Sequence, residues 1–286
     1  SDMFPQLFDP AKLRKGIDGF VDGIVTEYGD SLGALSDHFE RWLAWFEKLL
    51  RTAPWWSVVL AVIVIAWLLT RRIGLSLLMG GLLCVIGLLG LWDAGMQTLA
   101  LMLMATFLSV VIGIPVGILM GRLDWVRAVL HPVLDIMQTM PSFVYLIPVV
   151  MLFGLGKTPA LIATIIYAVA PLIRLTDLGI RLVDKEVLEA SRAYGANAWQ
   201  QLFGVQIPLA LPNIMAGINQ TTMMALAMVV IASMIGATGL GQEVLLGINR
   251  LEVGRGLMAG VSIVVLAILF DRITQAYGRR QRRGAH

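Results

Sequence analysis

The chain has 286 residues, 58% of them hydrophobic and only 14% charged, against about 45–50% and about 25% in soluble globular proteins. With a mean hydropathy of +0.80, its apolar surface exceeds what one water-soluble domain can bury. That excludes a soluble enzyme, a nucleic-acid binder and a disordered chain, and leaves an integral protein of the lipid bilayer. The net charge of +3 comes from basic residues gathered at the ends of apolar runs, a pattern that reports orientation in a membrane. The single cysteine, Cys84, lies in an apolar run, so no disulfide framework and no cysteine metal site are expected. No basic region followed by a short apolar core and a cleavage site opens the sequence, so no signal peptide is expected.

Segment 1–53 is amphipathic. Leu32, Leu35, Phe39, Trp42, Leu43, Phe46, Leu49 and Leu50 recur at spacings of three and four, and Leu13, Ile17, Phe20, Ile24 and Tyr28 outline a second helix. Trp42, Trp45, Trp55 and Trp56 place these helices at a membrane interface. They serve either as a scaffold or sensor on the outer face or as a simple anchor.

Crossing a hydrocarbon core of about 30 Å takes about 20 apolar helical residues. Seven stretches qualify or nearly so, at 55–70, 73–92, 96–120, 133–153, 159–180, 213–236 and 255–271. The first is short and is expected to extend upstream. The apolar runs are continuous, which excludes a β-barrel, and lipid excludes open strands. The fold class is therefore all-α, a polytopic membrane protein of about seven transmembrane helices. With the N-terminus outside and the C-terminus inside, the inner connections and tail hold 13 Lys and Arg and the short outer connections hold 3, namely Lys157, Arg250 and Arg255. The positive-inside rule then favours N-out and C-in. Segment 1–53, with 6 basic and 9 acidic residues, suits translocation.

Within the spans, Gly113, Gly117 and Gly121 form a small-xxx-small stripe that permits close helix contact, within the chain or in a dimer. Gln138, Thr139, Ser142 and Tyr145 surround Pro141 and Pro148, which favour a kink. The run Gly154-Leu155-Gly156-Lys157-Thr158 ends like a phosphate-binding loop, but Met151 stands where that motif needs glycine, and a membrane helix precedes it instead of a strand. A tight turn explains its glycines. Arg174 and Asp177, three apart, form a candidate pair or help seat the following loop. Asn219, Gln220, Thr221 and Thr222 are polar groups inside a span; they line a path or bond to neighbouring helices. Met223, Met224, Met228 and Met234 pack a core or form a yielding gate.

The longest inner connection, 181–212, reads as two short helices joined at a glycine. Asp184 caps the first, Gly195 ends it, and a second runs from Asn197 to Val205 with an apolar side of Trp199, Leu202 and Phe203, until Pro208 stops it. Such an element suits a groove on a partner, or rests on its own bundle. Glu189-Ala190-Ser191, Gly195 and Val205-Gln206-Ile207-Pro208 match the spacing of the loop Glu-Ala-Ala, three residues, Gly, nine residues, Ile-x-Leu-Pro. The chain thereby resembles the permeases of ABC importers. Residues 138–148, 171–176 and 215–221 narrow the resemblance to glycine betaine/proline betaine importers, over roughly 94–277.

The resemblance implies a type I ABC importer permease core at 94–277, preceded by an extracytoplasmic helical segment 1–53 and two accessory spans in 54–93, and followed by a basic cytoplasmic tail at 278–286. It implies an inner-membrane location, a homodimer of permeases, two cytoplasmic ATPase subunits and an extracytoplasmic binding protein that delivers glycine betaine, proline betaine or choline. ATP and Mg then act through the partner ATPase, with no cofactor, metal, catalytic residue or nucleic acid expected on this chain. Glu189, Ala190, Ser191, Arg192, Gly195 and Pro208 become the ATPase-coupling residues. Gln138, Thr139, Phe143, Tyr145, Asn219, Gln220 and Thr221 become the substrate path, where aromatic faces and weak polar groups suit a quaternary ammonium ion that has no hydrogen to donate. A permease for another small solute is the nearer alternative. An ion-driven carrier fits less well, since no internal repeat and no mid-span carboxylate is found.

Overall fold

The computed structural model describes Pro5 and residues 7–284; residues 285–286 of the basic tail lie outside the described residues. Among these the chain is helical, in twelve α-helices and one π segment. They are α1 (Pro10–Thr52), α2 (Trp55–Thr70), α3 (Ile73–Leu88), α4 (Trp92–Arg122), α5 (Asp124–Thr139), α6 (Ser142–Phe153), α7 (Lys157–Arg181), α8 (Lys185–Ala193), α9 (Ala198–Gln201), the π segment Leu202–Gln206, α10 (Ile207–Ser233), α11 (Leu240–Asn249) and α12 (Val253–Gly284).

The centre of the bundle is α4, α7 and α10, with α12 closing one side. Small residues bring their axes together. Ala160, Ala163, Ala168 and Ala170 of α7 and Ala225 and Ala232 of α10 are fully or almost fully buried, as befits helices that associate in lipid through close packing. The α4 glycine stripe faces α7 within the same chain: a methyl group at Gly113 would meet Leu172, at Gly117 Thr176, and at Gly121 Ile180. Outward faces stay apolar, as with Phe107, Val111 and Leu119 on α4 and Leu257, Val261, Val264 and Ile268 on α12. Apolar side chains on the outside as well as the inside are what a bilayer solvent allows.

Four helical stretches are individually long and apolar enough to span, namely α4, α7, Ala198–Ser233 and α12; counting each of two bent pairs as one span raises this to six, and α3 is a shorter apolar helix of 16 residues. The expected stretches 96–120, 159–180 and 255–271 fall in α4, α7 and α12, and 213–236 lies in α10 except for its last three residues, which form a turn. Three boundaries differ. The first span does not extend upstream: Ala53 and Pro54 are extended, and the chain turns through 107° between α1 and α2. The single run 133–153 is instead α5 and α6, bent by 106° at Met140–Pro141. Proline holds the residue before it out of the helical region, and Met140 has ψ 129°. Pro208 does not stop a helix either. The helix runs unbroken from Ala198 to Ser233, and Ile207 N–H bonds to Leu202 O, five residues back. The wider π turn relieves the clash that the proline ring would make with the preceding turn. A further helix, α11, occupies the connection expected as a loop, and Arg255 of α12 holds it through Glu243 at 2.6 Å.

The two amphipathic patterns of the first segment form one helix, α1, of 43 residues. Its C-terminal part packs on α4, α6 and α7 through Phe39, Leu43, Phe46 and Leu50, while Trp42 and Trp45 face outward. Charge fixes it in place. Glu47 is only 6% exposed; it accepts two bonds from Lys157 Nζ, at 2.7 and 2.8 Å, and one from Arg51 at 3.3 Å. Arg51 in turn bonds Asp93 at 3.0 Å. Lys157 is thus an anchor for α1, and the glycines before it make a turn. Gly156, at φ 138°, donates its N–H to Ile235 O at 2.6 Å.

Replacing Lys157 with methionine strands a buried carboxylate with only the longer Arg51 bond. The expected cost is about 2 kcal/mol, below the value for a fully buried pair because the lysine is one-third exposed. Thermal unfolding of the purified protein measures it, and adding Glu47→Gln to the same chain is expected to recover part of the loss.

Candidate functional site: the loop after α7

Local sequence builds α8 as an independent unit. Asp184 Oδ1 accepts from the Glu186 N–H at 3.0 Å, capping the helix. At the other end Gly195 takes φ 85°, and the Tyr194, Gly195 and Ala196 N–H groups return to Ala190, Arg192 and Ser191 carbonyls at 3.2, 2.9 and 3.1 Å. Two residues later Asn197 and Gln200 form a reciprocal capping box at 2.8 and 3.0 Å, which starts α9.

A buried glutamine joins the two helices. Gln201, 3% exposed, donates through Nε2 to Leu188 O and to Ser191 Oγ, both at 3.1 Å. Leu202 anchors the pair below, packed with Leu172, Ile180, Ala210 and Ile214. The expected apolar side of the second helix therefore splits. Leu202 turns into the bundle, whereas Trp199 and Phe203 stack on each other at 6.0 Å and stay 70% and 61% exposed. Tyr194 is 94% exposed. Glu189, Ala190, Arg192, Gly195 and Pro208 are also exposed and Ser191 is half-buried. The loop thus rests on its own bundle on one face and presents an open aromatic and charged face on the other. Neither Glu189 nor Arg192 belongs to an ion pair among the described residues.

Removing the Gln201 amide by a leucine substitution leaves the loop helices without their cross-tie. Loss of a buried hydrogen-bonding group costs about 1–3 kcal/mol. The expected result is faster amide hydrogen exchange confined to 185–206, with the bundle unchanged.

The base of the loop is an ionic lattice across α4, α5 and α7. Asp177 is buried and accepts from Arg181 Nε at 2.9 Å, with Arg127 at 3.6 Å. Arg181 also bonds Asp124 at 3.0 Å and Met120 O at 2.7 Å. Arg174 pairs with Asp135 on α5, which also meets His131 at 3.2 Å. The expected Arg174–Asp177 pair is not formed: each finds its partner on α5 or one turn along α7, because α5 folds back beside them. Arg122 completes the lattice by donating to Gln206 in the π segment. Sequence reading missed Asp124, Arg127 and Asp135, since nothing local marks charges 39 to 57 positions from their partners.

The residues expected along a path are spread over α5, α6 and α10. Gln138 and Thr139 are exposed at the end of α5, where the Thr139 hydroxyl donates to Asp135 O at 2.9 Å. Phe143 is exposed on α6, but Tyr145 is buried, donates to Met137 O and meets Tyr167 edge-on at 5.6 Å. On α10, Thr221 is buried and donates to Ala168 O of α7 at 2.7 Å, while Gln220 is exposed. Asn219 faces α12, bonding Asp271 at 3.2 Å and Thr274 at 2.9 Å, beside a cavity of about 310 Å³. Of the four methionines, Met228 is fully buried core and Met234 is exposed.

An all-helical bundle with lipid-type outer faces, broken spans and a projecting two-helix loop is the architecture of a membrane permease. Residues 109–283 match the family of binding-protein-dependent transport system inner membrane components, and the chain belongs to that family. It is 47% identical to the glycine betaine/proline betaine transport system permease protein ProW of Escherichia coli strain K12, over 92% of this chain and 74% of that one. It is 44% identical to the glycine betaine transport system permease protein OpuAB of Bacillus subtilis strain 168, over 91% of this chain and 92% of that one. Among solved structures, the inward-facing MetNI methionine ABC transporter has a chain that superposes with a TM-score of 0.54 at 25% identity, covering 65% of this chain and 92% of that chain. The fold is that of a type I ABC importer permease, a component of the inner membrane.

Proposed function

We propose that the chain is the membrane-spanning subunit of an ATP-driven importer of glycine betaine, proline betaine and choline. It works as a homodimer with two cytoplasmic ATPase subunits and an external binding protein, and it hydrolyses nothing itself. The single observation that carries the coupling role is the loop 185–206, rigidly capped and cross-tied on one face and open at Glu189, Ala190, Tyr194, Trp199 and Phe203 on the other. The names of the two relatives support glycine betaine and proline betaine as substrates.

In this reading Glu189, Ala190, Ser191, Arg192 and Gly195 enter a cleft of the ATPase, with Pro208 at the loop's root. The small side chains of Ala190 and Ser191 allow close approach. The ionic lattice of Asp177, Arg181 and Asp124 ties the end of α7, from which the loop departs, to α5, so displacement of the loop by ATPase closure moves α7 and α5 together. The orientation is N-out and C-in: residues 1–53 lie at the outer interface, 54–93 are accessory spans, and the tail from 278 is cytoplasmic. Quaternary ammonium solute passes where the α5–α6 bend leaves Gln138, Thr139 and Phe143 uncovered, with Tyr145 and the α10 residues Asn219, Gln220 and Thr221 shaping the wall. The Phe143 ring offers a cation a π face.

Competition in proteoliposomes containing the ATPase and binding protein tests the substrate class. Unlabelled proline betaine and choline are expected to displace labelled glycine betaine. Uptake of a different small solute, with no competition among these three, would replace the substrate reading while leaving the permease reading intact.

A further inference from the structure

Five arginines from two distant parts of the chain meet at one corner of the molecule. Arg71 and Arg72 form the α2–α3 turn, and Arg279, Arg280 and Arg283 lie on the last turns of α12. Together with Thr70 and Ala276 they line a cavity of about 280 Å³. No carboxylate lines it, and none of the five is ion-paired among the described residues.

The corner is built. Arg71 is held in the left-handed region at φ 56°, with its guanidinium 4.6 Å from the Trp67 ring centroid. Arg280 donates to Leu68 O at 2.9 Å and to Leu69 O at 3.3 Å, capping α2 and joining it to α12. All five side chains are exposed and hydrated, and their clustering without a counter-charge gives the hollow a positive field that attracts an anion. The hollow lies at the turn between the apolar helices α2 and α3, which in the topology proposed above is headgroup depth, and Leu68 and Ile73 lie exposed beside it. A ligand with an anionic head and an apolar tail fits both features; a soluble anion would use only the first.

We propose that this corner is a binding site for the phosphate headgroup of an anionic phospholipid. Arginine forks match phosphate oxygens, and basic pockets between membrane helices are suited to such heads. The bound lipid ties the α2–α3 hairpin to the end of α12, adding to the Arg280 cap and to the packing of α12 on α2 and α3.

The test is native mass spectrometry of the full chain titrated with phosphatidylglycerol, with phosphatidylcholine of the same acyl chains, and with phosphatidylglycerol plus inorganic phosphate. Arg72→Gln/Arg283→Gln is the informative variant, because neither side chain has a hydrogen bond or ion pair among the described residues. Wild type is expected to retain phosphatidylglycerol in preference to phosphatidylcholine. The variant is expected to retain it about ten- to thirtyfold less well, and Arg72→Lys/Arg283→Lys nearly as well as wild type. Equal retention of the two lipids, or no loss in the glutamine variant, would overturn the proposal. So would full displacement by equimolar inorganic phosphate, which would mark a site for a soluble anion. Loss of ATPase-subunit binding in the glutamine variant with lipid retention unchanged would make the corner a protein contact and would overturn it too.

Discussion

Gly195→Asp is expected to leave the protein folded and inserted while lowering ATP-driven uptake by about five- to thirtyfold. At φ 85° the backbone disfavours any side chain, yet a methyl group built at Gly195 meets nothing within 4 Å. The penalty is therefore conformational, about 1–2 kcal/mol, and local to the joint between α8 and α9. That is too small to unfold the bundle. It is enough to shift the population of the docked loop geometry by the stated factor, and Gly195→Val, β-branched, is expected to lie at the severe end. Gly204→Ala is the control, since Gly204 has open space around it and an ordinary φ. Uptake and ATPase stimulation in reconstituted vesicles measure the effect. Wild-type values in both Gly195 variants would remove the coupling role from this joint.

The second large effect concerns the fold. A methyl group at Gly117 would lie 2.5 Å from Thr176 Cβ and 2.8 Å from the Ile173 carbonyl oxygen. One obstacle is backbone and the other a buried β-branched side chain, so neither moves without parting α4 from α7. Overpacking of this kind costs about 1–3 kcal/mol, and the helix-propensity gain of alanine over glycine, about 1 kcal/mol, offsets only part of it. Gly117→Ala is expected to lower the thermal midpoint of the purified protein, and Gly117→Leu to abolish accumulation of folded protein. Gly81→Ala, at a glycine with open space, is expected to do neither. Since α4 and α7 form the centre of the bundle, survival of Gly117→Leu with a normal midpoint would contradict the packing described above.

What the sequence made legible was local. Asp184 as a cap, Gly195 as a left-handed stop and Asn197 as the start of α9 follow from side-chain chemistry within four residues, and all three stand in the structure. The apolar runs located the main helices because lipid imposes length and hydropathy on each one separately. Register and long-range pairing were hidden. Pro208 reads as a stop until the π turn before it changes the hydrogen-bond register. Arg174 and Asp177 read as partners until α5 folds back and supplies Asp135 and Arg127. Glu47 and Lys157, 110 positions apart, carry no sequence signal of their contact, so the way α1 is fastened to the bundle emerged only from the fold. Tyr145 reads as a cation-facing ring, yet its hydroxyl is engaged with Met137 and its ring with Tyr167.

The most direct test of the central claim is uptake of radiolabelled glycine betaine into proteoliposomes that hold this chain, with ATPase, binding protein and ATP supplied or withheld in turn. Uptake that needs all of them, and that falls when Glu189 or Gly195 is changed, is the predicted result. Uptake by the chain alone under a sodium or proton gradient, indifferent to ATP and to the loop residues, would contradict it.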